Sequence, residues 1–174
     1  MKNSSFSKLS SLFAIAVSSL TSLSAPACET NFKLVGSSSL NVWFWHVYDI
    51  ELKTVDGVYQ LEQYPLELEL TYKRGIDKDD LVKETEKQWQ RFELEAQTQE
   101  RWLATLSEIW PDVEENDRIR FRVCEDQKTQ FFFNDQPIGE IEEQQFGKFF
   151  SFIWLDSNGP YPKLTKQLLG QSSK

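Results

Sequence analysis

Few side chains in this sequence are typed and spaced for chemistry. Tyr72 and Arg74 stand two apart at the end of an alternating segment. There a guanidinium fork and a phenolic hydroxyl can grip a ligand carboxylate together; read plainly, they are a core ring and a solvent-facing cation. His46 alternates with Phe44 and Tyr48, so imidazole and phenol become polar groups of an apolar cleft, or His46 is a hydrogen-bonded core histidine. Arg118, Arg120 and Arg122 form a basic row, readable as an anion-binding face or as partners for glutamates on an exposed sheet. The glutamate-rich segments 67–69 and 140–143 read as solvated faces. The sequence has no Gly-rich phosphate loop, nucleophile elbow or Cys/His metal spacing. Its single histidine excludes a two-histidine metal site, and no catalytic residue, metal or cofactor is assigned.

The elements that must position these groups follow from periodicity. Asn31 to Leu40 reads as a short first strand loosening at Gly36. Asn41 to Leu52 reads as a stronger one, apolar on both faces up to Tyr48 and therefore expected to be central and covered on both sides. Asp56-Gly57 signals a hairpin, with Val58 to Leu61 returning as a strand. Leu66, Leu68, Leu70 and Tyr72 alternate with Glu67, Glu69 and Thr71, a half-exposed strand. Asp77 is placed to cap a helix whose apolar face is Leu81, Thr85, Trp89 and Phe92. Trp102, Leu103, Leu106, Ile109 and Trp110 mark a second helix, ended by Pro111.

Ile119, Phe121 and Val123 then alternate with the arginines, and Thr129 to Phe133 follows. Asn134-Asp135 form a turn into Ile138 to Ile141. There the period changes: Phe146, Phe149, Phe150, Ile153 and Trp154 make one helical stripe, with Lys148 and Ser151 opposite. A last short helix carries Leu164, Leu168 and Leu169 and stops at Gly170. Strands, two helices, strands, then helices predict an α+β domain, a mostly antiparallel sheet with helices packed on one face.

The ends bound the setting. Lys2 and Lys8, an apolar run from Leu12 to Leu23 and Ala25-Pro26-Ala27 read residues 1–27 as an export signal peptide. The run is too short and serine-rich to span a bilayer, so no integral membrane segment is expected after its removal. Residues 28–174 then form a single periplasmic, or otherwise exported, domain. A disordered cytosolic tail and lipoprotein processing, anchoring the chain through a lipidated Cys28, are the alternatives. The net charge of −8 becomes more negative once Lys2 and Lys8 leave. An acidic chain without a basic run is a poor binder of nucleic acid. Cys28 and Cys124 are the two cysteines; an oxidising compartment favours a disulfide between them, and two unpaired thiols are the alternative.

One stretch carries a family likeness. The Asn134 turn, Ile138-Gly139-Glu140-Ile141, the Phe-rich helix, Ile153-Trp154-Leu155 and the closing Leu164 to Gly170 resemble the end of bacterial chalcone-isomerase-like proteins. The resemblance extends back to about Gly36, through Val47-Tyr48 and the segment from Leu66 to Asp77. It implies an open-faced sandwich with a cleft between sheet and helices. In chalcone isomerases the resemblance further implies an Arg ahead of the Val-Tyr strand and a Thr within it, with Tyr, Lys and Asn donors from helices. Here Lys33 is the only Lys or Arg between Cys28 and Tyr48, and Trp43 stands at the Thr position, where its indole is expected to fill cleft volume. The similar Arg of fatty-acid-binding relatives is missing too.

Three functions follow from this reading. The first is a non-catalytic binder of a small apolar or fatty-acid-like ligand through His46, Tyr48, Tyr72 and Arg74. The second is an intramolecular lyase or isomerase with a rearranged site. The third is a cell-envelope protein-interaction module.

Overall fold

β3 (Leu66–Tyr72) is the strand on which the rest is built. Its alternation puts Leu66, Leu68, Leu70 and Tyr72 on a face where none is more than 4% exposed. β4 (Arg118–Val123) pairs with it antiparallel, Leu68 opposite Phe121 and Leu70 opposite Ile119, so the apolar positions coincide across the ladder. On one side lie β2 (Trp45–Thr54) and β1 (Lys33–Val42); on the other, β5 (Thr129–Phe133) and β6 (Gln136–Ile141). The six strands form one antiparallel sheet in sequence order. This computed structural model describes Cys28 and residues 31–171; the expected export segment lies outside them.

Between β3 and β4 the chain forms α1 (Lys78–Trp89) and α2 (Ala96–Ile109), and after β6 it forms α3 (Gln144–Leu155) and α4 (Pro162–Leu168). The aromatic stripe of α3 lies on the apolar sheet face, with the Phe150 ring 4.7 Å from Phe121 and 5.5 Å from Phe131. Phe146 meets Trp89 of α1 at 6.0 Å and Trp102 of α2 at 5.4 Å, so three helices converge on one ring. Gly147 lets α3 seat this closely, since a Cβ there would stand 2.7 Å from Val123 Cγ1. At Gly36 of β1 a Cβ would overlap the Gln167 carbonyl oxygen of α4. The expected α+β architecture, helices on one face of an antiparallel sheet, is the one observed.

The opposite face is a charge ladder. Glu67 and Glu69 lie across from Arg122 and Arg120. Arg122 Nη2 contacts Glu67 Oε2 at 2.7 Å, and Lys53 and Arg120 reach Glu69 at 3.5 and 3.8 Å. The arginine row is thus an ion-pair row, but not an open one. Glu67 is only 4% exposed, because the Cys28 carbonyl accepts from Arg122 Nη1 and the Phe32 ring lies 4.9 Å from that guanidinium. Cys28 and Cys124 have free thiols in this structure. Burial, then the neighbouring Cys28 thiol, pushes Cys124 up to about 12.

Several local expectations are corrected. The strand expected over 41–52 is broken by a turn at Trp43-Phe44, which folds β1 onto β2 with Val42 opposite Trp45. Trp43 takes φ 57°, a region ordinarily left to Gly or Asn, so no turn residue announced it. The segment is consequently a hairpin tip rather than a covered central strand, with Trp43 90% and Phe44 97% exposed. Val58 to Leu61 forms no strand; it is loop, with Val58 and Leu61 exposed. Asp77 precedes α1 without a side-chain cap, and Asp112 Oδ1 instead accepts from the Lys78 N–H at 2.9 Å. Ser151 is buried, its hydroxyl donating to the Lys148 carbonyl within the helix.

Candidate functional site

The layer between sheet and helices is not filled everywhere. Beneath α1 lies a cavity of about 370 Å³, walled by Val47, Tyr48 and Tyr72 of the sheet, Leu81, Thr85 and Gln88 of α1, and Ile153 and Trp154 of α3. That size falls within the roughly 300–1,000 Å³ usual for small-molecule pockets. Val42, Trp45 and Arg74 line it and are also exposed, so they mark its mouth beside the hairpin tip.

A bulge in β2 builds the sheet side of this wall. The pairing runs Leu40 with Tyr48, then Asn41 with His46, so Val47 is the extra residue. An extra residue reverses the side-chain alternation beyond it. Trp45, Val47 and Tyr48 therefore all line the cavity, whereas unbroken alternation had put Trp45 and Val47 on the face away from Tyr48. His46 is turned outward by the same bulge. It is exposed, its Nε2 2.8 Å from Asp49 Oδ1, and it is absent from the cavity wall. His46 is thus neither a core histidine nor a cleft residue. Asp49 also contacts Lys73 Nζ at 2.8 Å and accepts from the Ser39 hydroxyl at 2.6 Å. Desolvation raises the Asp49 carboxyl, but the bonds from Lys73, Ser39 and His46 outweigh it and hold the group at about 2.

Two phenols stand inside. Tyr48 and Tyr72 meet edge to face at 6.0 Å, and the Tyr48 hydroxyl accepts from Trp154 Nε1 at 2.8 Å. That bond leaves the Tyr48 proton free to donate. Burial drives both phenols well above the ordinary tyrosine value; the Trp154 bond offsets this in part at Tyr48, and Tyr48 adds to it at Tyr72. Both therefore remain neutral donors far beyond physiological pH.

Charge at the mouth is divided. Lys87 bonds Glu84 at 3.2 Å, and Gln88 donates to the same carboxylate at 2.7 Å. Arg74, by contrast, makes no salt bridge among the described residues; its guanidinium rests 4.9 Å from the Trp45 ring centroid. The structure thus brings Tyr48, Tyr72 and Arg74 to one cavity and leaves His46 outside it. Trp43 does not occupy that cavity, contrary to the expectation that its indole would fill the cleft. The α1 contributions Glu84 and Gln88 were not singled out in the sequence; only the Leu81–Thr85 spacing hinted at them. Among the described residues no group of three His, Cys, Asp or Glu could hold a metal ion. No described helix is long and apolar enough to cross a membrane.

This architecture has known counterparts. The chain is 28% identical over 165 residues to an uncharacterized protein of Haemophilus influenzae strain Rd, covering 95% of this chain and 79% of that one. The fold is similar to the crystal structure of a fatty-acid binding protein of Arabidopsis thaliana, with a TM-score of 0.64 at 8% identity, over 80% of this chain and 87% of the plant protein. The chalcone isomerase-like family profile matches residues 24–170, and the chain belongs to the chalcone isomerase-like family.

Proposed function

We propose that this protein binds a fatty-acid-like amphiphile in the cavity and does not transform it. The observation that carries this reading is Arg74, a cation without a carboxylate partner among the described residues, at the mouth of an apolar cavity that holds two neutral phenols. An apolar tail suits the walls, and a carboxylate at the mouth suits the guanidinium fork. The arginine that residues 28–48 lack has its counterpart in Arg74, just beyond β3. The fold shared with a plant fatty-acid binding protein supports the same reading. So does the position of the single imidazole outside the wall, with both phenols held too high to serve as bases at neutral pH.

The test is titration of the purified protein with dodecanoate and with dodecanol. Dodecanoate binds one to one and at least tenfold more tightly than the alcohol, and Arg74→Met removes that preference. Failure of both probes to bind, or turnover of a chalcone that Arg74→Ala abolishes, overturns the reading and raises the rearranged isomerase in its place.

The proposal includes export, with residues 1–27 removed and Cys28 joined to Cys124 in an oxidising compartment. A native mass starting at Cys28 and two hydrogens short supports this, while an added acyl mass means a lipid anchor instead.

A further inference from the structure

We propose that the tip of the β1–β2 hairpin is a membrane-docking wedge, which seats the cavity mouth on a phospholipid bilayer. Trp43 and Phe44 are 90% and 97% exposed, and Trp45 and Val42 behind them are 62% and 39% exposed. Neither fold nor core accounts for the two tip rings. A turn requiring φ 57° at its first residue is served with less strain by Gly, and neither ring belongs to the core or to the cavity wall. A non-glycine held in that region, at a surface position where it packs on nothing, points to a use outside the folded chain.

The shape and the chemistry select the occupant. A hairpin tip is a convex projection of a few rings, each worth about 150–250 Å². A stable protein interface wants about 800 Å² per partner, more than this tip offers. Indole and phenyl rings instead suit the headgroup boundary of a bilayer, where aromatic side chains concentrate. The chain's net charge of −8 makes attraction to anionic lipid the wrong driving force, so the aromatic rings themselves must hold the protein to a zwitterionic surface. Continuity places the tip further: Val42 and Trp45, directly behind the turn, line the cavity. A tip sunk to the headgroup boundary opens the cavity toward acyl chains rather than water. The other exposed apolar residues of β2 and its following loop, Val55, Val58 and Leu61, lie beyond the far end of that strand, away from the mouth.

The experiment is co-sedimentation with phosphatidylcholine vesicles, paired with quenching of tryptophan emission by lipids brominated near the headgroup. The whole protein binds, its emission is quenched, and raising the salt changes binding less than twofold. Trp43→Ser/Phe44→Ser, with Trp45 left in place, binds vesicles at least tenfold less, melts at the same temperature and keeps its dodecanoate affinity in vesicle-free solution. No vesicle binding by the parent protein, equal binding by the variant, or a concentration-dependent dimer that the variant abolishes overturns the proposal. Docking does not depend on what the cavity holds. Intact dodecanoate binding without docking sinks the wedge alone, and docking without dodecanoate binding sinks the ligand reading alone.

Discussion

Around Phe146 the space between sheet and helices is packed ring against ring, while around Tyr48 and Tyr72 the same two layers stand apart. One helix serves both halves. Phe146 and Phe150 of α3 sit among Trp89, Trp102, Phe121 and Phe131. A turn later Ile153 and Trp154 of that helix become the wall of a cavity. The difference lies in what faces α3. In the filled half, α1 contributes its last residue, an indole, and α2 adds another. In the hollow half, α1 contributes Leu81, Thr85 and Gln88, too short or too polar to close the gap. The hollow is therefore written into the face of α1 that carries Leu81, Thr85 and Gln88.

The contrast can be broken most severely from the filled side. Phe146→Ala should cost about 3–5 kcal/mol, the usual loss for an excised core ring, whereas Leu81→Ala, part-buried at the cavity, should cost about 1 kcal/mol. Denaturant midpoints for the two variants measure this, and similar losses would mean that both halves are equally packed. Filling the hollow sharpens it: Val47→Phe should leave the melting temperature within a few degrees and reduce dodecanoate affinity at least tenfold, read by calorimetric titration.

A smaller effect distinguishes the halves in alkali. Desolvation raises the Tyr48 and Tyr72 phenols above their unfolded value of about 10. Their stabilisation is complete below that pH and is lost as pH rises toward the folded values, because the unfolded chain sheds these protons first. Tyr48→Phe/Tyr72→Phe should flatten the decline in melting temperature above pH 10; a slope identical to the parent's would assign the decline to other groups. The smallest effect belongs outside the cavity. Asp49, lowered to about 2 by its bonds, contributes stability present above about pH 4 and lost as pH falls through 2. Asp49→Asn should remove only a shallow part of the acid limb, since solvent reaches both partners and screens the pair.

The filled half was also the more legible one. A strict period of two in Leu66 to Tyr72 and a helical stripe from Phe146 to Trp154 predicted the strand and the helix, and Gly170 marked the end of α4 with φ 68°. The hollow half depended on features without local signals. No Gly, Asn or Pro stands at the Trp43-Phe44 turn, and the bulge at Val47 arises from pairing with β1, so strand propensity carried the reading straight through both. That one register shift moved His46 out of the site and brought Trp45 in. Tyr72 and Arg74 were visible as a pair, but the cavity between them and α1 exists only once the helix lies over the sheet. Glu67 shows the opposite failure: its alternation spoke for solvent, and the chain near Cys28 and Phe32 covered it.

The sheet's strand order carries one further consequence, in kinetics. β1, β2 and β3 are neighbours in both sequence and space, and so are β4, β5 and β6, so each trio is closed by local contacts. Only the β3–β4 seam joins residues separated by two helices, Leu66 meeting Val123 at its far end. Within the sheet, closing that long loop incurs the largest loss of freedom before any ladder bond compensates it. The seam is thus where the folding barrier belongs, and substitutions at Leu68 or Phe121 slow folding, whereas those at the hairpin tip leave the rate alone.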